Sequence, residues 1–362
     1  MMRLFKFAAI AVVAIALIST AGIAGSSWYY TSQLGQGCAN CHEMADYVTL
    51  VHGSAHGSVG CMQCHEASLS TKLRHIRVHL TGNWPESIRL RDVDVLEMVP
   101  NCQKCHREEY ASWHAGPHSA TYGDIFTNAS QNSRQHLMND CFRCHGMHFS
   151  GSIRDLVDPI NSQGPWHLLR PELANQPTIP CQACHQVHRQ GLQQSRPATR
   201  ISVAGTAITD SLAFYDRRES LHFAASTLAV PQIYDGPRPV HMNQDPRQAL
   251  CYQCHAPRRL DVGTAATLNN WGPQIGSGDD RTPIGVHEGL SCVACHTGHN
   301  ANARASCKNC HPQMSNCGLD VEKMDTSYAS AASTHNIHRV KCADCHQHGI
   351  PKPKTPPPAQ AQ

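Results

Sequence analysis

Cys181-Gln182-Ala183-Cys184-His185-Gln186-Val187-His188 sets two cysteines three residues apart, a histidine directly after the second, and another histidine three further on. The first five positions recur eight more times. Toward the N-terminus, Cys141 and Cys144 precede His145, Cys102 and Cys105 precede His106, Cys61 and Cys64 precede His65, and Cys38 and Cys41 precede His42. Toward the C-terminus, Cys251 and Cys254 precede His255, Cys292 and Cys295 precede His296, Cys307 and Cys310 precede His311, and Cys342 and Cys345 precede His346. These nine units take 18 of the 19 cysteines and leave Cys317, read as a buried or surface thiol. Cysteines three apart share one face of a helical turn, in reach of both vinyl edges of one porphyrin, and the next imidazole falls under the iron. Paired C-x-x-C units also bind zinc, but zinc does not require a histidine after every second cysteine. With 26 histidines in 362 residues, nine such placements by chance fall below about one in a billion. The spacing predicts nine covalently bound haem c groups.

Composition bears on what fills the interior. The chain is 41% apolar, which excludes a disordered polymer, but only 6% aromatic, so an ordinary side-chain core is expected to be thin. Haem faces are expected to replace it. The formal charge of +3 gives a nucleic-acid partner no electrostatic support. Eighteen propionates against nine ferric centres move that charge to about −6, so many of the 30 Lys and Arg read as propionate partners. The expected fold is mainly α with much coil, a multihaem cytochrome c fold organised by stacked haems, with short motif helices, little sheet and one N-terminal transmembrane helix.

Arg3 and Lys6 precede an apolar run from Phe7 to Ala24, broken only by Ser19 and Thr20. Counted from Leu4 it gives about 20 residues, roughly 30 Å as a helix, which matches a bilayer core. Trp28, Tyr29 and Tyr30 follow where an aromatic belt would sit. Residues 1–26 are therefore read as a retained anchor in the inner (cytoplasmic) membrane, with the haem domain in the periplasm. A cleaved signal peptide ending at Gly22-Ile23-Ala24 is the alternative, and would leave a soluble periplasmic shuttle.

The intervals between first cysteines are 23, 41, 39, 40, 70, 41, 15 and 35 residues. Short ones at Cys38–Cys61 and Cys292–Cys307 suggest closely coupled haem pairs. The expected organisation is an anchor (1–26), a tetrahaem region (27–150), a pentahaem region (151–350) and a Pro-rich disordered tail (351–362). The long interval reads as an insertion near 195–240, a loop or small hairpin in which Ile201 to Thr209 partly alternate and Pro231, Pro237 and Pro239 act as breakers.

Seventeen histidines lie outside the motifs. His56, His136 and His287 stand five before the first cysteine of a motif, and His338 stands four before Cys342. His148, His188 and His299 stand three after a proximal histidine. A residue three along a helix points to the side of the proximal ligand, so it cannot cross its own haem and is expected to ligate a neighbour. Each also suits a helix cap or a propionate partner. His52, His75, His79, His114, His118, His167, His222, His241, His335 and His348 carry less positional signal. The supply suffices for bis-histidine ligation at eight or nine irons, which leaves no open position and favours electron transfer over catalysis.

The run from the apolar helix through Cys38-Ala39-Asn40-Cys41-His42-Glu43-Met44, Val51-His52-Gly53-Ser54-Ala55-His56-Gly57 and Cys61-Met62-Gln63-Cys64-His65 resembles the NapC/NrfH family of membrane-anchored cytochrome c quinol dehydrogenases. The resemblance covers about residues 1–150, and C-x-x-C-H-x-M is its most specific element. It implies that Met44 ligates or borders the first iron beside a quinol site. The third and fourth motifs look like that family's third and fourth haems. One departure is the absence of a histidine shortly after the second motif, where Glu66-Ala67-Ser68-Leu69 follow His65. The resemblance also implies a lysine and an acidic residue at the quinol pocket. Lys72, Glu86, Asp92 and Asp94 are candidates, with solvated surface positions the alternative for each.

The later five motifs are similar in style to multihaem respiratory cytochromes. The expected function is relay of electrons from the quinol pool, entering at the haem of Cys38 and Cys41, to a periplasmic or outer-membrane redox partner in anaerobic-type respiration. Quinol dehydrogenase activity is the enzymatic side of that reading. The alternative is a multihaem reductase of a small nitrogen or sulfur oxyanion, of the nitrite or hydroxylamine type, with one open-sited haem in 151–350. No C-x-x-C-K variant occurs in the chain.

Overall fold

A computed structural model describes residues 2–31, 36–39, 41, 44–66, 68–82, 90–188, 211–256, 279–299, 303–311, 336–345 and 348. His42, Glu86, Ile201 to Thr209, Cys317, His335, His346 and the 351–362 tail lie outside the described residues, as do the side chains of Cys342 and Cys345.

Helix and coil dominate. α1 (Met2–Thr31) is the one long helix among the described residues, and within it Lys6–Tyr29 has a mean hydropathy of 2.4 with none of it buried. That stretch is long and apolar enough to cross a membrane, a property shared by anchors and signal sequences. Most other helices are one or two turns. The short helices α2 (Gln36–Ala39) and α4 (Cys61–Cys64) flank α3 (Ala45–His52). Then come α5 (Leu69–Thr81), α6 (Asp92–Glu97), α7 (Val99–Gln103), α8 (Arg107–His114), α9 (Tyr122–Phe126), α10 (Ala129–Asn132) and α11 (Ile153–Leu156). α12 (Pro246–Cys251), α13 (Cys292–Cys295) and α14 (Cys342–Cys345) complete the set.

Motif helices stop for a local reason. At His65 the backbone turns to φ −95°, ψ 71°, and at His296 to φ −102°, ψ 126°, so each proximal histidine leaves the helix as its imidazole is presented. A single turn is not stable alone and depends on its surroundings.

The chain divides into two units, residues 1–193 with 209–222, and residues 194–208 with 223–362. Residues 150 and 151 both belong to the first. Its core is a side-chain core after all: Leu96, Tyr122, Phe126, Phe142, Phe149, Leu156 and Leu173 are all nearly inaccessible. The thin core expected from composition is thus thin only on average. Three of the seven phenylalanines fall between 126 and 149 and pack in series as tilted rings, with centroids 5.5 Å (Phe126–Phe142, 52°) and 5.3 Å (Phe142–Phe149, 42°) apart. Full burial of each such ring stabilises by about 1.5–3 kcal/mol. Arg217 closes the edge, its guanidinium 4.8 Å above Phe142 and its Nε donating to the Phe149 carbonyl at 3.0 Å.

The second unit packs Ile233, Val240, Met242, Tyr252, Ala256 and Ile284 together. Its organising feature is a strap, residues 279–288, coil as far as a 3₁₀ turn at Gly285–His287, laid along 336–341 with its own 3₁₀ turn at Ile337–Arg339. Ile284 N donates to His338 O at 2.6 Å and Val286 N to Val340 O at 2.9 Å. Gly285 between them has φ +82°, and a Cβ there would collide with the Val340 carbonyl, so only glycine lets the two backbones approach.

Among the described residues the strands pair only two at a time. β1 (Val157–Asp158) pairs antiparallel with β2 (His167–Leu168). β3 (Ala213–Asp216) pairs with β4 (Leu221–Ala224), and β5 (Tyr234–Asp235) with β6 (Arg238–Pro239) around Gly236 at φ +62°. The described end of the expected insertion, 211–240, is therefore two small hairpins.

Candidate haem-binding centres

Each unit brings together imidazoles from distant parts of its chain. In the first, His56 stands against His106 with ring centroids 6.1 Å apart, and His188 against His65 at 5.9 Å. In the second, His287 stands against His311 at 6.3 Å and His338 against His296 at 6.0 Å. Every pair joins one motif histidine to one non-motif histidine. Two imidazoles bound to opposite sides of one metal have centroids about 6 Å apart, because each metal–nitrogen bond is about 2 Å and each ring centre lies roughly 1 Å beyond its nitrogen. The four separations fit an iron between the rings. Direct stacking of the rings would bring them closer.

Protonation agrees with this use. Burial pushes His188 and His338 down to about 4, assisted by the neighbouring His65 and His296 respectively, and burial also lowers His65 and His296. All four are neutral at neutral pH, which is the form whose nitrogen lone pair binds metal. His287 Nδ1 meets the Ile337 carbonyl at 3.1 Å and His338 Nδ1 meets Asn336 Oδ1 at 3.1 Å, which leaves Nε2 of each for iron.

The local shape of the motifs departs from the expected helical turn. Only motifs two, seven and nine carry both cysteines inside an α-helix, namely α4, α13 and α14. In the others the second cysteine lies beyond an α-helix or in a 3₁₀ turn. Cys41, Cys105 and Cys254 follow the ends of α2, α7 and α12. Cys144, Cys184 and Cys310 come directly after 3₁₀ turns spanning Asn139–Arg143, Cys181–Ala183 and Ala303–Asn309. Bonds three residues back then accompany the α-type bond from each motif histidine to its first cysteine, as in His106 N to Cys102 O at 2.9 Å and His255 N to Cys251 O at 2.8 Å. Cys105 N donates to Cys102 O at 3.3 Å, Cys144 N to Cys141 O at 3.3 Å, Cys254 N to Cys251 O at 3.1 Å and Cys310 N to Cys307 O at 3.2 Å. A 3₁₀ tightening of this kind is common at the ends of short helices. Residues three apart eclipse in that turn, so both thiols of a motif still share one side. The second cysteines are also accessible, with Cys105, Cys295 and Cys310 exposed and Cys41, Cys64, Cys144, Cys184 and Cys254 half-buried.

First cysteines of different motifs converge. Cys38 stands close enough to Cys61, Cys102 to Cys181 and Cys251 to Cys292 for their thiols to perturb one another, while the Cys102 and Cys251 thiols donate to the Met98 and Arg247 carbonyls at 3.8 and 3.5 Å. The neighbouring thiol and burial push Cys102 and Cys292 well above the usual thiol range. The described cysteines form no disulfide. Motif six is locked to motif seven by side chains. Asp245 caps α12 through the Arg247 N–H (3.0 Å) and accepts from the Ser291 hydroxyl (3.2 Å), while Ser291 caps α13. Buried Gln248 accepts the Cys292 N–H at 3.2 Å. In the first unit Asn101, just before motif three, donates to the Cys64 carbonyl of motif two at 2.9 Å. Among the described residues no group of three or more His, Cys, Asp or Glu is arranged to hold a metal ion by itself.

The remaining expected ligands are placed differently. His148 stacks on Tyr215 at 4.1 Å, its Nε2 buried without a hydrogen-bond partner, and burial followed by nearby His222 pushes it down to about 3. His222 Nε2 donates to the Gln182 carbonyl of motif five at 2.7 Å. His136 is exposed and faces no imidazole among the described residues; His299, His145 and His185 are half-buried. Met44 is half-buried ahead of α3, its N–H donating to Cys41 O at 2.9 Å. Lys72 is buried on α5, which packs against α1, so the solvated-surface alternative does not hold for it. Asp94 caps α6 and pairs with Arg91 at 2.5 Å, and Asp92 reaches Ser150 at 3.4 Å. Residues that sequence reasoning missed are Asp245, Gln248, Asn336 and Asp279, whose Oδ2 lies 2.8 Å from His255 Nδ1. Gln248 and Asp279 act on residues 44 and 24 positions away and have no local sequence signal, whereas Asp245, directly before Pro246, and Asn336, two before His338, act close by.

Converging motif cysteines and metal-spaced imidazole pairs define a c-type haem scaffold. Residues 101–157, spanning the third and fourth motifs and much of the aromatic core, match the family described as cytochrome c554 and c-prime. The match covers 57 of the 362 residues and supports a multihaem c-type cytochrome with covalently bound haem c and an electron-transfer role. No curated protein and no solved structure matches the chain.

Proposed function

We propose that the chain is a membrane-anchored nonahaem c-type cytochrome that takes electrons from the quinol pool and delivers them to a periplasmic or outer-membrane acceptor. The observation that carries the reading is the set of four imidazole pairs at 5.9–6.3 Å, each containing one motif histidine. Bound haem supplies the one-electron chemistry; the polypeptide attaches, orients and tunes it. The nine cysteine pairs are the attachment points and the motif histidines the proximal ligands. His56, His188, His287 and His338 close the opposite faces at His106, His65, His311 and His296. A closed iron has no site for substrate, which favours relay over oxyanion reduction.

The quinol end of the reading rests on the first motif. Met44 is tied back to Cys41 by its backbone, and α5 carries Lys72 and His75 beside the apolar α1. Quinol oxidation releases protons, so the reading requires a base near Cys38 and Cys41, and His75 on α5, the helix packed on α1, is the group we assign to it. Intact mass of membrane-extracted protein should equal the chain plus nine haems. A quinol analogue should block its reduction in membranes. Zinc in place of haem refutes the scaffold; reduction indifferent to the analogue refutes the quinol site and leaves the scaffold standing.

A further inference from the structure

The described ligand histidines differ in what their second nitrogen meets. His287 and His338 face neutral acceptors, a backbone carbonyl and an asparagine amide, each at 3.1 Å. His255 instead meets a carboxylate, with Nδ1 2.8 Å from Asp279 Oδ2. Asp279 is anchored from the C-terminal side by its own strap. The next residue, Asp280, is buried in an ion pair with Arg339 and accepts the Thr282 N–H at 2.9 Å. Thr282 accepts the hydroxyl of Tyr252, the residue after Cys251, at 3.1 Å, and Ile284 enters the core. The strap thus clamps Asp279 against motif six. Arg281 Nε holds the other oxygen of Asp279 at 2.8 Å and fixes the carboxylate plane.

We infer that Asp279 is the positioning residue that makes the haem of Cys251 and Cys254 a low-potential centre of the second unit. This rests on the haem reading above. With Nε2 on iron, Nδ1–H must donate, and a carboxylate acceptor draws that proton away more strongly than a carbonyl does. The imidazole becomes a stronger donor, ferric iron is stabilised over ferrous, and the potential falls. Arg281 opposes this by sharing the carboxylate's charge, so the pair sets the potential between two limits.

The test uses the full-length holoprotein, with haem occupancy at Cys251 and Cys254 read by peptide mass and potentials by redox-poised optical and near-infrared magnetic circular dichroism spectra. Asp279→Asn should raise one haem's potential so that its reduction constant grows about tenfold, equivalent to about 59 mV for one electron, and should move that haem's ligand-to-metal charge-transfer band. Asp279→Glu should restore both, and Arg281→Gln should shift both the opposite way. Asp280→Asn removes a neighbouring buried charge without touching His255. An equal rise there means charge acting through space, and overturns the inference. So do unmoved potentials in Asp279→Asn with haem in place. Wild-type protein lacking haem at Cys251 and Cys254 overturns the haem reading itself.

Discussion

Under the proposed ligation, replacing His338 with methionine should alter the ligand pair of one iron in a way spectroscopy can isolate. His338 and His296 are the parallel pair, with ring planes 1° apart, whereas the other three pairs cross at 73°, 89° and 88°. Parallel imidazoles donate into the same iron d orbital and split it from its partner, which gives a rhombic low-spin ferric EPR spectrum. Crossed imidazoles raise both orbitals equally, and the spectrum collapses toward a single large-gmax feature. The wild type should therefore show a rhombic component from His296 with His338 and large-gmax components from the crossed pairs. With nine motifs, His338→Met should remove the rhombic component from about one ninth of the ferric spin. Thioether ligation should also raise that haem's reduction constant by tenfold or more, about 59 mV per decade. The fold should survive, because the substitution removes one side-chain hydrogen bond, to Asn336, worth about 1 kcal/mol. Retention of the whole rhombic component with unchanged potentials would refute the pairing.

Other expectations follow from neighbouring residues. His188→Ala should open one face at His65 and convert one low-spin iron to a high-spin, carbon-monoxide-binding form, seen by EPR and optical titration; a spectrum with no new high-spin signal counts against that pair. Gly285→Ala should set a Cβ against the Val340 carbonyl at a positive φ, costing about 2 kcal/mol or more in denaturant melts and loosening the segment that carries His338. Asp245→Ala should cost about 1–2 kcal/mol by removing the α12 cap and the tie to Ser291. Burial pushes the Asp245 carboxyl up, but Arg247 and the backbone outweigh it and hold the group below 3.8. Its stabilisation is therefore complete above that value and lost as pH falls through the lower folded value. Melts from pH 7 to 3 should show a steeper acid limb for the wild type than for Asp245→Asn.

The part of the proposed site that is legible in the sequence is the C-x-x-C-H motif, because the cysteines and histidine proposed for attachment and proximal ligation lie within five residues. What could not be read is partner choice. His188 and His148 carry the same signal, three residues after a proximal histidine, yet one faces His65 and the other stacks on Tyr215. His136 and His287 share a spacing of five before a motif, yet only His287 is brought to an imidazole among the described residues. The aromatic core was hidden for a different reason: a 6% average conceals three phenylalanines between 126 and 149 whose tilted rings pack in series.

Chain entropy explains why sequence proximity is so weak a guide to the distal ligand. His287 and His311 are 24 residues apart, whereas His65 and His188 are 123 apart. Closing the longer loop costs only about 1.4 kcal/mol more, since the penalty grows as the logarithm of length. One imidazole bound to iron outweighs that difference, so the nearest histidine has little advantage over one that the fold delivers in the right orientation. Selection passes instead to whatever fixes orientation: the Ile337 carbonyl on His287, Asn336 on His338, and the strap held at Gly285. Those groups lie close to the ligands they steer and far from the motifs they serve. Ligand pairing in such a chain is therefore a property of the short straps, and substitutions there should re-pair haems while leaving all nine attachments intact.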